Sequence, residues 1–377
     1  MAEPLSVQVL KHPRKLLNFS RKIRIARKLY GESYPAMLRR FFYLCGRELY
    51  SPREIFLWDL LSPDLADDEL DRAISKTACV GLQLRLNPES ARGLTEDKSV
   101  FYGYCRERGL ATPRLLAIIG SPLGWTAEGA FLRSDADWSA WLDALTVPDI
   151  VIKPSLGVYA YGVRLLSRQG DTWQESDGRR LSSAELLAEL RADERYSSFV
   201  VQERVYGHPA LAALSRTDYL QTLRLVTFVS DAAGPEVLFG LLRLIANGAT
   251  TDNFQQGASG NLLADVCLET GRVKRVMVQR PCGIGMEEIA RHPVSGAAFA
   301  GFEVPFWSEA CQLSRQAAMA FLPLTSIGWD IAITPDGPVL MEGNAFWGPI
   351  HNLQRTMREF RRRTEKLLDG TTATTVR

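Results

Sequence analysis

Asp330, Glu342 and Asn344 lie on two short apolar runs joined by Pro335-Asp336-Gly337. In that turn proline fixes φ and glycine supplies a positive φ, so the runs read as a hairpin. Such a hairpin brings the two carboxylates and the amide to one side. Hard oxygen donors of this kind suit magnesium with a phosphate co-ligand, whereas zinc favours His and Cys. Taken alone, Asp330 and Glu342 also fit ordinary strand-end acids. As a pair without a metal they are expected to repel each other and strain the site.

A second constellation is Lys153, at the end of the apolar run Ile150-Val151-Ile152 and before a segment containing Ser155, Gly157 and Gly162. A lysine there has no easy partner in a core. Glycines let the backbone bend over a phosphate whose oxygens the ammonium neutralises. Arg224 and Arg243 each interrupt an apolar strand-like run upstream of the segment Asp252-Asn253-Phe254-Gln255-Gln256-Gly257. A guanidinium in such a run requires an anion, either a bound phosphate or acyl phosphate or a carboxylate of the same sheet.

The elements that position these groups follow from periodicity. Residues 98–108 read as a helix ended by Gly109, 113–119 as a strand, 138–145 as a helix and 150–153 as a buried strand. Residues 182–191 read as a helix capped by Ser182 or Ser183, and 199–203 as a strand. Residues 222–228 and 237–245 form a hairpin pattern, 306–321 a helix, and 328–334 with 338–342 the terminal hairpin. The first 92 residues are helical in pattern over 20–45 and 52–75, with few strand-like runs.

With helix, strand, loop and hairpin in this order, the sequence resembles the ATP-grasp superfamily over about residues 95–350. The match is most specific in GWDIAITPDGPVLMEGN. Within that superfamily it is similar to the sugar-transfer-associated branch. The resemblance implies an α+β chain of two subdomains clamping ATP, preceded by a helical N-terminal region. The expected borders are 1–92 helical, 93–202 central subdomain, 203–370 C-terminal subdomain and 371–377 a frayed tail.

The resemblance also implies roles. Lys98, Lys153, Ser155 and Gly157 are expected at ATP phosphates, and Gln202, Glu203, Arg204, Val205 and His208 around adenine and ribose. Many relatives carry an acid near the position of His208, so ribose recognition departs from the pattern there. Asn253 is expected beside the phosphates, with Arg243, Arg224 and Lys153 as the catalytic cations and Asp330, Glu342 and Asn344 on magnesium. The implied reaction is ligation: ATP activates a carboxylate as an acyl phosphate and an amine captures it. Phosphorylation of a hydroxyl or phosphate by an ATP-grasp kinase is the alternative, and a nucleotide-binding module without turnover a third. The association with sugar transfer suits modification of a polysaccharide or glycoconjugate.

Composition agrees with such a chain. The 377 residues are 46% hydrophobic and 23% charged, enough for two or three domain-sized units. Forty-five bases against 43 acids give +2, no general reason to expect a nucleic-acid partner. Six scattered cysteines without a CxxC pair read as reduced thiols, and no window approaches a membrane span, so a cytoplasmic location is expected. The four histidines, His12, His208, His292 and His351, lack zinc spacing. The basic N-terminal segment reads either as a solvated helix face or as a dock for an anionic acceptor or a membrane surface, with Met37, Leu38, Phe41, Phe42 and Leu44 as an apolar side that could equally pack on the next domain.

Overall fold

The computed structural model describes residues 13–46, 49–65, 74–120, 124–157, 160–230, 234–349 and 357–374. Among these, α1 (Pro13–Tyr30), α2 (Tyr34–Gly46), α3 (Pro52–Leu57), α4 (Lys76–Leu86), α5 (Glu89–Glu96) and α6 (Lys98–Glu107) come first. Gly31, at φ +71°, ends α1 in a conformation that costs glycine little. Ser51 and Glu54 form a capping box on α3, with Pro52 at its first turn. Of the expected helical stretch 52–75, residues 58–65 form turns and 66–73 lie outside the described residues.

Two antiparallel sheets follow. The first contains β1 (Leu115–Gly120), β2 (Gly124–Thr126), β3 (Phe131–Leu132), β4 (Asp149–Pro154), β5 (Arg164–Gln169), β6 (Thr172–Glu175), β7 (Arg180–Leu181) and β8 (Ser198–Glu203). Their order is β3-β2-β1-β8-β4-β5-β6-β7. α7 (Asp135–Ala144) and α8 (Ser183–Ala192) cover one face, where Trp138, Leu142, Leu186 and Leu187 pack on Ile150, Ile152 and Val201.

The second sheet contains β9 (Thr222–Val229), β10 (Pro235–Leu244), β11 (Leu262–Val266), β12 (Val273–Gln279), β13 (Met286–Glu288), β14 (Ser326–Thr334) and β15 (Gly337–Asn344), in the order β13-β12-β11-β10-β9-β14-β15. On one face Leu223, Leu225, Leu242, Trp329 and Ile331 pack with α10 (Trp307–Ala320), which follows α9 (Pro209–Ser215). On the other, Val226, Phe228 and Leu241 pack with the N-terminal helices and with Phe360 of α11 (Met357–Thr374). Trp347 is buried in this second core.

Asn87, between α4 and α5, fastens the helical region to the terminal hairpin. Its amide donates to the carbonyls of Ser326 (2.8 Å) and Ala345 (2.9 Å), and its oxygen accepts from the N–H groups of Thr325 and Ser326.

The two-sheet α+β architecture with a helical N-terminal region matches the sequence-based expectation. The borders differ in detail, because 92/93 falls inside α5 and 202/203 inside β8. α11 continues to Thr374, past the expected start of a tail, and 375–377 lie outside the described residues. No helix among the described residues is long and apolar enough to cross a membrane.

Candidate active site

The two sheets face each other across a cavity of about 230 Å³. The first sheet contributes Val151, Lys153, Leu165 and Gln202; the second contributes Thr222, Arg243, Asp330, Met341 and Glu342. Lys98, Gly157, the connection Arg204-Val205, the pair Tyr219-Leu220 and the segment 250–253 complete the lining.

The register explains why charge collects here. Arg224, Asp330 and Glu342 are cross-strand partners on β9, β14 and β15 and stand in one row. Along β9 the same-face series Phe228, Val226, Arg224, Thr222 passes from apolar to polar. Its apolar half lies under the N-terminal helices and its polar half at the cleft. A bulge opposite Asp330 and Ile331 interrupts alternation on β15, so the consecutive residues Met341 and Glu342 both line the cavity.

Asp330 is gripped on both carboxylate oxygens. Arg224 donates through Nε (2.5 Å) and Nη2 (3.0 Å), and an Arg243 Nη2 lies 2.9 Å from Oδ2. Burial favours the neutral acid, but the two guanidiniums outweigh it and hold the Asp330 pKa below its ordinary value. Arg243 also donates to the Thr222 hydroxyl, which in turn donates to Asp252 at 2.5 Å. Asp252, 3.4 Å from Arg243, is pushed upward by burial, with Arg243 and Thr222 acting against that rise. The expected carboxylate repulsion is therefore absent. β9 and β10 bring in two cations that neutralise Asp330, and Lys98 Nζ stands 3.5 Å from Glu342. For Arg224 and Arg243 the intra-sheet ion pair is the arrangement observed.

Lys153 has the opposite environment. Its ammonium donates to the Tyr102 hydroxyl at 2.6 Å, and that hydroxyl donates to the Met341 carbonyl at 2.7 Å. Burial pulls its pKa from 10.5 down to about 7; Glu342 acts against this and Lys98 adds to it. Lys98 and Tyr102 are one helical turn apart on α6, so a single helix face serves both lysines. Lys98 Nζ donates to the Gly157 carbonyl at 2.8 Å and its N–H to Ser155 O at 2.9 Å, which fixes the segment after β4 to α6.

Of the site residues expected from sequence, Lys98, Lys153, Gly157, Gln202, Arg204, Val205, Arg243, Asn253, Asp330 and Glu342 line one cavity. Five do not. Ser155 is fully buried behind the lining, its hydroxyl without a hydrogen-bond partner among the described residues. Arg224 reaches the cleft only through Asp330, and Glu203 turns toward Arg114 at 3.8 Å. Asn344 donates to its strand partner Gly328 at 3.2 Å. His208 caps α9, its Nδ1 accepting from Ala210 N–H at 3.1 Å. His292 is a satisfied core histidine bonded to Ile245 O. His351, and Val158 and Tyr159 of the glycine segment that follows Lys153, lie outside the described residues.

Sequence reading missed Tyr102, Thr222, Asp252 and Met341. The i, i+4 spacing from Lys98 was the available signal for Tyr102, and Asp252 adjoins the flagged Asn253.

The cavity fits a nucleotide. Apolar Val151, Leu165, Val205, Leu220 and Met341 suit a base, and the buried Gln202 Oε1, which has no partner among the described residues, is an acceptor for an exocyclic amine. Lys98, Lys153 and Arg243 supply positive charge for phosphates. Asp330, kept ionised, and Glu342 are hard donors of the type magnesium takes.

A family profile described as sugar-transfer associated ATP-grasp matches residues 79–358. No curated protein matches the chain. Among solved structures, similar chains include the D-alanine–D-alanine ligase from Bacillus anthracis, at 14% identity and TM-score 0.39, covering 76% of this chain and 69% of that one. The D-alanine–D-alanine ligase from Coxiella burnetii is 9% identical with TM-score 0.39, covering 75% and 60%. Biotin carboxylase from Campylobacter jejuni is 10% identical with TM-score 0.43, covering 74% and 46%. The chain thus spans less than two thirds of the latter two.

Proposed function

Since the chain belongs to the sugar-transfer associated ATP-grasp family, we propose that it is an ATP-dependent ligase that joins a carboxylate to an amine. One observation carries the choice of acceptor. Asp330 and Asp252 are held by arginine or threonine, and Glu342 faces Lys98, so none of the three stands free as a general base. Lys153, whose pKa burial brings to about 7, serves in this reading as a cation for the phosphates. A hydroxyl acceptor needs its proton removed, whereas a carboxylate arrives ionised and needs no base for its attack. The site has cations and donors but needs no protein nucleophile, as phosphoryl transfer requires mainly positioning and charge neutralisation.

In this reading Lys98, Lys153 and the backbone at Gly157 bind the phosphates, with Ser155 buried behind them. Gln202 with the 203–205 connection takes the adenine edge, and Asn253 and Arg243 face the transferred group, with Arg224 keeping Asp330 in place. Asp330, Glu342 and Asn344 would hold magnesium, which when bound neutralises charge on the phosphates. The acceptor carboxylate oxygen bonds to the γ-phosphorus as the bond to ADP breaks. The amine nitrogen then attacks the acyl carbon, the bond from that carbon to the phosphate oxygen breaks, and the departing phosphate takes up the proton that the amine gives up. The family's link to sugar transfer directs the acceptor search to glycoconjugates and polysaccharide precursors, and we place the reaction in the cytoplasm.

The test is ADP release from purified protein with magnesium across a panel of carboxylates and amines, with hydroxylamine added. A hydroxamate formed in step with ADP is the expected result. ADP release that yields a stable phosphorylated hydroxyl and no hydroxamate replaces the ligase reading with a kinase.

A further inference from the structure

The function above leaves the outer face of the first two helices unused. Neither α1 nor α2 contains an aspartate or glutamate. On α1, Ile23 and Ala26 turn into the core, and the 3.6-residue repeat sets Leu17, Arg21, Arg24 and Lys28 on the opposite side, all exposed. On α2, Met37, Phe41 and Leu44 are buried while Arg39 and Phe42 point away, with Tyr43 beside them. Leu17 is 69% and Phe42 55% exposed. Among the described residues Arg21, Arg24, Lys28 and Arg39 form no ion pair. On α1 three bases thus share one exposed face with Leu17, and on α2 Arg39 lies one turn from the exposed Phe42.

The mixture identifies the partner. A solvated basic face has no use for exposed leucine and phenylalanine, and a nucleic-acid backbone pairs with the bases but leaves Leu17 and Phe42 uncovered. The surface of an anionic bilayer takes both kinds: headgroup phosphates meet the guanidiniums, and the headgroup–acyl boundary receives the apolar side chains. We infer that α1 and α2 dock the protein peripherally on an anionic membrane surface. The docking does not depend on what the cleft catalyses.

Flotation of the full chain with vesicles tests this. Vesicles containing a third phosphatidylglycerol should carry the protein, pure phosphatidylcholine vesicles should not, and high salt should weaken the association. Replacing Arg21, Arg24 and Lys28 together with glutamine should weaken partitioning on the order of 100-fold. Helical content and ADP release in solution should be unchanged. The matching variant with lysine at 21 and 24 should float as the native protein does, and Phe42→Ser should lose the part of binding that survives salt. Equal flotation with neutral and anionic vesicles, or native flotation of the triple glutamine variant, overturns the inference. So does single-stranded RNA of equal phosphate concentration stripping the protein from the vesicles.

Discussion

Lys153 and Asp330 are buried ionic side chains facing the same cleft, yet their surroundings are opposite. Asp330 is over-supplied with counter-charge, since two arginines share one carboxylate. Lys153 is under-supplied, with a tyrosine hydroxyl and ring as its near partners. The first arrangement fixes a charge in its ionised form at any ordinary pH; the second leaves a cation whose charge is completed by an anionic ligand. One half of the site is thus preset by the fold and the other is finished by the nucleotide.

The comparison is broken most severely at Asp330. Asp330→Ala leaves Arg224 and Arg243 buried against each other and should cost about 3–5 kcal/mol of stability, read by denaturant unfolding. Turnover should be lost with it. Glu342→Gln, at a half-buried carboxylate, should leave stability nearly intact and lower ADP release on the order of 100-fold. A retained rate in both variants would remove the hairpin from the reaction.

Lys153→Met should have the opposite signature to Asp330→Ala. Nucleotide affinity should fall about 10- to 100-fold by calorimetry, as expected for a charge-assisted contact, while the fold keeps or gains stability. The pH dependence follows from the depressed pKa. The folded pKa near 7 lies below the ordinary 10.5, so the folded state binds fewer protons between them. Burial of Lys153 therefore penalises stability in full below about pH 7, and the penalty fades as pH rises toward 10.5. Nucleotide affinity runs the other way, falling as pH rises through about 7 and the ammonium is lost. Lys153→Arg should abolish that fall, because arginine stays protonated. The smallest effect is expected at His208→Ala. Loss of the α9 cap should cost about 1 kcal/mol. An unchanged KM for ATP would fit the cap, and a raised one would return His208 to the ribose.

What was legible in the sequence was local. The Pro-Asp-Gly turn, the apolar runs around Asp330 and the lysine closing β4 are written in neighbouring residues. What stayed hidden depends on register and on contacts far apart in sequence. Nothing near Asp330 in the chain announces that Arg224, 106 residues upstream, is its strand partner. For that reason the expected carboxylate repulsion gave way to an ion cluster. The bulge that turns Met341 into the cleft is likewise set by pairing with β14. β11, β12 and β13 carry shorter or more interrupted apolar runs and were not read as strands, and the turns after α3 carry helix-like periodicity without a continuous helix.

Asn87 bears on how this protein can be taken apart. All its side-chain hydrogen-bonding positions are spent on strand-end backbone of the hairpin that carries Asp330 and Glu342. The helical region is therefore not a detachable cassette. A chimaera joined between residue 87 and Thr325 inherits open donors and acceptors at the roots of β14 and β15 unless the incoming segment supplies an asparagine in the same place.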